Sequence, residues 1–299
     1  MRDLEAVLRA NSSPDNALDW LNHRTRLKTQ FVSQRIARDD WDFFAVNFSE
    51  THDIGHRFWD IHDPTHPQHD PKLRAAIGDP LEIQYRRMDA VFGELLAQVG
   101  PETIVMFYTS TGMQANYSGN GLLDYFLSRM NNHQFESFFD RPCFEIRNHH
   151  ASGAVRFNLK GRESRGIIEE KDFDPFADNL TGHLLELTDT ETGRPVVKDV
   201  VKVREVFPGR RLNDLPDLFV VWERDAPIRG FDSPAYGRMD FGDFRSLWTG
   251  DHSTNASMYI RNALIDSPDS PPIRISNFED FPKLIGSLLG ADLARYKAA

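Results

Sequence analysis

The chain has 299 residues, 40% of them hydrophobic and 27% charged, with a formal net charge of -10. This is the composition of an ordinary globular protein long enough to bury a substantial core. The acidic balance, with a pI near 5.6, argues against a nucleic-acid or anionic-membrane surface, each of which needs a basic face.

Cys143 is the single cysteine, so no intramolecular disulfide forms. The expectation is a small buried hydrophobe in a reducing, cytoplasmic compartment. The N-terminal run MRDLEAVLRANSSPDN lacks the apolar centre of a secretion signal, and no apolar run approaches the roughly 18 residues of a membrane span.

In chain order, residues 2–10 and 14–38 read as helices. Pro14 starts the second, and Leu18, Leu21, Leu27, Phe31 and Ile36 recur at helical spacing. Trp41 to Phe48, with Phe43, Phe44, Val46 and Phe48 and almost no charge, predicts a strand buried on both faces. Its end delivers Glu50, His52, Asp53 and His56, where open α/β sheets bind ligands. Metal ligands and solvated loop residues are both compatible with that spacing.

Ile61 to Pro71, IHDPTHPQHDP, is too rich in Pro, His and Asp for regular structure and reads as a substrate-facing or solvated loop. Asp79-Pro80 opens an amphipathic helix with Leu81, Tyr85, Met88, Phe92, Leu95, Leu96 and Val99 on one stripe and Gly100 as its stop. Thr103 to Tyr108, TIVMFY, predicts a second buried strand. Strand, helix-containing connection and strand together predict a right-handed parallel crossover. A helix follows over 121–130.

Between Phe144 and Val206 the pattern changes to short strands and turns around one helix at 174–188, an α+β insertion inside a single 1–299 domain. Its Arg156, Lys160, Arg162 and Arg165 could hold an anion or simply be solvated. PDLFVVW at 216–222 restores a buried-strand pattern. His252 falls in a Gly-containing turn before another strand, and one short helix follows Pro282, stopped at Gly290. Arg57, beside His56, could neutralise a bound anion or pair with a surface acid. His149 and His150 carry no assigned role.

Several pieces in order resemble the type I phosphodiesterase and nucleotide pyrophosphatase branch of the alkaline phosphatase superfamily, related to cofactor-independent phosphoglycerate mutases and sulfatases. They are SETHDIGHRFW at 49–59, TSTGM at 109–113, VRFNLKGRE at 155–163, GDH at 250–252 and the closing FEDFPKLIGSLLG. The resemblance implies an alkaline phosphatase-like α/β fold, with a mostly parallel central sheet flanked by helices. It also implies a metal-dependent hydrolase that uses two divalent cations, typically zinc, on a phosphate or sulfate ester.

On that pattern His56 and His252 match ligand positions, and His52 stands where the family has an aspartate. One site could survive as His52, His56 and His252, with Asp53 as substitute ligand or outer partner. The second cation needs Asp-His where this chain reads Thr109, Ser110, Thr111. Hydroxyls cannot replace those ligands, so at most one metal is expected, with the three hydroxyls as neighbouring donors and Arg57 and Arg162 as anion contacts. No buried strand stands where the family carries its nucleophile. Beside a divergent esterase stand two alternatives: an inactive relative acting as a ligand- or protein-binding module, and a fragment of a longer enzyme. The last leaves an open sheet edge that favours a homodimer.

Overall fold

A computed structural model of the chain describes residues 14–134, 144–146, 153–164, 166–240, 248–261, 275, 277 and 280–290. Apart from single helical turns such as Val203–Val206, its helices and strands, in chain order, are α1 (Pro14–Arg38), α2 (Glu50–His62), α3 (Pro71–Ile77), α4 (Pro80–Leu96), β1 (Val105–Tyr108), β2 (Gly112–Ala115), α5 (Asn120–Gln134), β3 (Phe144–Ile146), β4 (Gly153–Phe157), α6 (Phe173–Leu185), β5 (Thr188–Asp189), β6 (Val197–Lys202), β7 (Leu218–Trp222), β8 (Gly230–Ser233), β9 (Gly237–Asp240), β10 (Gly250–Ser253), β11 (Met258–Arg261) and α7 (Asp280–Leu288). The helix expected at 2–10, Cys143, His149, His150 and Arg165 lie outside the described residues. No helix among the described residues is long and apolar enough to cross a membrane.

The chain divides into two compact units, one of residues 1–114 and 248–299, the other of 115–247. In the first, α1 buries Ala17, Leu18 and Leu21, which pack with Ile54, Phe58 and Ile61 of α2 and Leu81 of α4. Further along α1 the inward stripe runs through threonines, whose hydroxyls donate back to the carbonyls one turn earlier: Thr25 to Leu21 O and Thr29 to Thr25 O. Gln84 of α4 donates to the Thr25 hydroxyl at 3.2 Å. Satisfied in this way, Thr25 and Thr29 take the buried positions, and the expected apolar stripe is displaced: Leu27 and Phe31 are exposed. The N-cap of α4 follows the sequence reading, because Asp79 accepts from Leu81 N and Glu82 N ahead of Pro80, whereas the helix ends at Leu96, before the stop expected at Gly100.

The segment Trp41–Phe48 is not a strand. It runs without ladder partners, and Trp41, Phe43 and Val46 are exposed by about half. Its aromatic groups pack against side chains instead: Lys28 lies over the Phe48 ring, Arg35 over Trp41, and the Trp41 indole donates to Arg35 O. An aromatic-rich run therefore satisfies itself along a helix without entering a sheet. Among the described residues the expected parallel crossover is also not formed, since β1 pairs antiparallel with β11, which is far along the chain. The strands make separate small sheets: β1-β11, β2-β10, β3-β4-β7-β6 and β5-β8-β9. Each strand pair with a defined register is antiparallel, so the described residues form no mostly parallel central sheet.

In the second unit α5 and α6 contribute Leu123, Phe126, Leu180 and Leu184 to a core with Val155, Phe157, Leu218 and Val220 of the four-stranded sheet. The span 144–206, expected as an insertion, falls inside this larger unit. Just before β7, an inner strand of that sheet, Asp217 is buried. One of its oxygens accepts from Phe157 N at 2.7 Å, and both accept from Arg162, at 2.7 and 2.6 Å. Arg156 pairs with Glu163 at 2.6 Å and donates to the carbonyls of Leu215 and Asn213. Arg156 and Arg162, which could hold an anion in the sequence reading, thus hold this unit's own acids and carbonyls.

Candidate metal centre

The helix α2 begins after Ser49 with Glu50 and Asp53 in its first turn, and Ile54, Phe58 and Ile61 mark its buried face. Four residues apart on one helix, His52 and His56 project from the same side. His252 reaches them from β10. The three Nε2 atoms form a triangle with edges of 2.9 Å (His52 to His252), 3.2 Å (His56 to His52) and 3.2 Å (His56 to His252).

Glycines let the strand reach the helix. A Cβ on Gly250 would stand 2.0 Å from Gly55 O and 3.0 Å from Trp59 Cβ, so β10 lies against the helix backbone itself. That approach lets His56 Nδ1 donate to Gly250 O at 2.8 Å. Thr249 closes the join: its hydroxyl accepts from Asp60 N at 3.2 Å and donates to Asp60 Oδ1 at 2.9 Å. The Trp248 ring stands edge-on to His56, with centroids 4.8 Å apart.

Because a carbonyl only accepts, His56 carries its proton on Nδ1 and turns an Nε2 lone pair toward the other two rings. Between His52 and His252, one Nε2 must donate to the other at 2.9 Å. Burial, reinforced by the two neighbouring imidazoles, holds the His56 pKa down to about 4 against the opposing effect of the Gly250 hydrogen bond. His56 is therefore neutral at neutral pH, the form a metal needs. His52 is about half exposed, which leaves one side of the cluster open.

The chemistry of this donor set fits a divalent cation. Tetrahedral zinc with Zn–N near 2.0–2.1 Å has ligand nitrogens about 3.3–3.4 Å apart, close to the edges of this triangle. Three imidazoles suit zinc, copper or nickel far better than magnesium or calcium. Among the described residues these are the groups whose ligand atoms gather closely enough to hold an ion.

The other residues singled out in the sequence lie as follows. Asp53 turns one oxygen to Arg24 Nη1 at 2.9 Å and sets the other 3.5 Å from His52 Nδ1. Arg57 is half-buried on α2, and successive helical side chains leave about 100° apart, so it departs on a different side from His56. Thr109 is exposed at the end of β1, where its hydroxyl accepts from Ser257 N at 3.0 Å and its own N–H donates to Ser257 O at 2.8 Å. Ser110 and Thr111 lead from it into β2, the partner of β10.

In the span expected as a loop, Ile61 and His62 instead end α2 and Pro71 begins α3, and its histidines meet neighbouring groups of the chain. His62 Nδ1 meets Asp79 Oδ2 at 2.9 Å, His69 Nδ1 donates to Asp60 O at 2.6 Å, and His66 is buried. Sequence reasoning missed Arg24, Trp248 and the Gly55–Gly250 contact. The last had a trace in the sequence, a glycine beside each of two candidate ligand segments.

The family description Type I phosphodiesterase / nucleotide pyrophosphatase matches residues 6–243. This chain belongs to that family. The matched stretch includes His52 and His56 and ends before His252. Neither a curated protein nor a solved structure matches the chain.

Metal-free protein is expected to lose stability in acid through His56. The folded pKa of about 4 lies below the unfolded 6.5, so the unfolded chain takes up the proton first as pH falls. The contribution is full above pH 6.5 and is lost progressively toward pH 4. Thermal unfolding across this range checks it: His56→Asn should lack that part of the decline.

Proposed function

We propose that the protein is a divergent hydrolase of small phosphate or related esters that works with a single divalent cation, of the zinc class, held by His52, His56 and His252. The observation that carries this reading is the convergence of three Nε2 atoms on one point with a side left open to solvent. A divalent cation there would polarise an ester oxygen and lower the pKa of water. The chain's own residues do the rest. Gly250 O and Thr249 fix His56 against the strand, while Thr109, Ser110 and Thr111 supply hydroxyls on the segment that leads into the strand beside His252. Arg162 has no part in substrate binding in this reading, because both of its terminal nitrogens serve Asp217.

A second reading is favoured by the TSTG segment, which offers hydroxyls where the family resemblance implies a carboxylate and an imidazole for a second cation. Loss of one such electrostatic contributor can cost on the order of a hundredfold or more in rate. On this reading the centre binds an ester or anion without turning it over. Bis(4-nitrophenyl) phosphate hydrolysis by purified protein with zinc, manganese or magnesium separates the two. The hydrolase reading expects metal-dependent turnover that disappears in His56→Ala. Stoichiometric zinc with no turnover under any metal would establish the binding role instead.

A further inference from the structure

Arg24, on α1, is a side chain that no sequence pattern singles out. Its guanidinium makes three contacts with the first turn of α2: Nε donates to Glu50 Oε1 at 3.0 Å, Nη1 to Asp53 Oδ2 at 2.9 Å and Nη2 to Ser49 Oγ at 2.6 Å. Glu50 is fully buried, and Lys28 gives it a second cation at 2.9 Å. That much is what a buried carboxylate demands. Asp53, its side chain 15% exposed, is held in the same way: Arg24 pins one of its oxygens, and the other is left 3.5 Å from His52 Nδ1.

A carboxylate beside Nδ1 favours the proton on that nitrogen and so leaves Nε2 with its lone pair. His56 obtains the same tautomer from Gly250 O. With both rings of α2 accepting at Nε2, the donor in the 2.9 Å contact between His52 and His252 is His252. The charge of Asp53 is meanwhile matched by Arg24, which explains why this acid stays outside the triangle.

We propose that Arg24 and Asp53 are positioning residues for the three-histidine centre: Arg24 fixes Asp53, and Asp53 sets the tautomer and orientation of His52. The assignment rests on the reading of His52, His56 and His252 as a metal centre. It makes the centre a set of three neutral ligands in which the carboxylate beside His52 is already paired with Arg24, which suits an anionic fourth ligand.

The test is a titration of metal-free full-length protein with cobalt(II) alone, followed by visible absorption, in the wild type, Asp53→Asn and Arg24→Gln. Long-range nitrogen–proton NMR of the metal-free histidines accompanies it. The expected result for Asp53→Asn is a fall in cobalt affinity of about tenfold or more with unchanged band positions, since the ligands themselves remain. The NMR spectra should show His52 as the Nδ1–H tautomer in the wild type and a shift away from it in Asp53→Asn. Arg24→Gln should follow the same direction. Because it also deprives Glu50 of a partner and can unfold the chain, Asp53→Asn is the deciding variant.

Cobalt affinity in Asp53→Asn within about twofold of wild type, below the range that outer partners command, would overturn the proposal. So would an unaltered His52 tautomer. A changed cobalt spectrum would overturn it too, by making Asp53 a ligand. If wild-type protein binds no cobalt, the metal centre itself falls and the positioning role falls with it; binding by the wild type with an unaffected Asp53→Asn sinks the positioning role alone.

Discussion

Gly250→Val is expected to destabilise the metal-free protein by roughly 3 kcal/mol or more and to abolish stoichiometric zinc binding, because overpacking against an immovable neighbour exceeds the usual cost of an added methylene. The neighbour is Gly55 O, part of the helix backbone, only 2.0 Å from the position a Cβ would take. A flexible side chain could swing away, but a carbonyl inside α2 cannot. The strand must retreat from the helix, and three contacts go with it: the His56 Nδ1 bond to Gly250 O, the Thr249 clasp on Asp60, and the approach of His252 to the other two rings. Gly250→Ala should act in the same direction and less severely. Thermal unfolding and zinc titration of the two variants check the expectation; wild-type affinity in Gly250→Val would show that the close approach does not govern the centre.

Asp217→Ala should cost about 3–5 kcal/mol, the usual loss when one partner of a buried ion pair is removed. Its carboxylate receives two guanidinium bonds from Arg162 and one from Phe157 N, and the carboxylate is almost entirely buried. Truncation strands a largely buried guanidinium beside Glu163, which Arg156 already engages at 2.6 Å. Asp217→Asn keeps the shape and an acceptor but loses the charge, and should fall between wild type and Asp217→Ala. Urea or thermal unfolding gives the ranking. A loss below about 1 kcal/mol for Asp217→Ala would place this pair with ordinary surface salt bridges.

Much of the local structure was legible in the sequence because its signals are local. Asp79-Pro80 is a cap followed by a residue preset for the first helical turn, and the helix starts there. PDLFVVW becomes a strand flanked on both sides, as its apolar run requires. The failures share a cause: an apolar run does not say what covers it. Trp41–Phe48 packs on side chains of α1, although its nearly uncharged apolar run predicts a buried strand, and the helical stripe of Ile54, Phe58 and Ile61 that follows was obscured by the polar residues among them.

The site divides in the same way. His52 and His56 were visible as a four-residue spacing, and His252 through a family pattern. What surrounds the three rings, the glycine-to-glycine contact, the backbone carbonyl on His56 and the Arg24–Asp53 pair, depends on residues remote in sequence. The partner of Arg162 was hidden for the complementary reason. An exposed basic stretch and a closed ion-pair network look alike until the acid from 55 residues away is in place.

The measurement that bears most directly on the account is the zinc content and affinity of purified full-length protein beside a His56→Ala, His252→Ala double variant. One equivalent of zinc in the wild type, absent from a double variant that still folds, is the predicted result. No stoichiometric zinc in the wild type, or zinc retained by the double variant, would contradict the three-histidine centre.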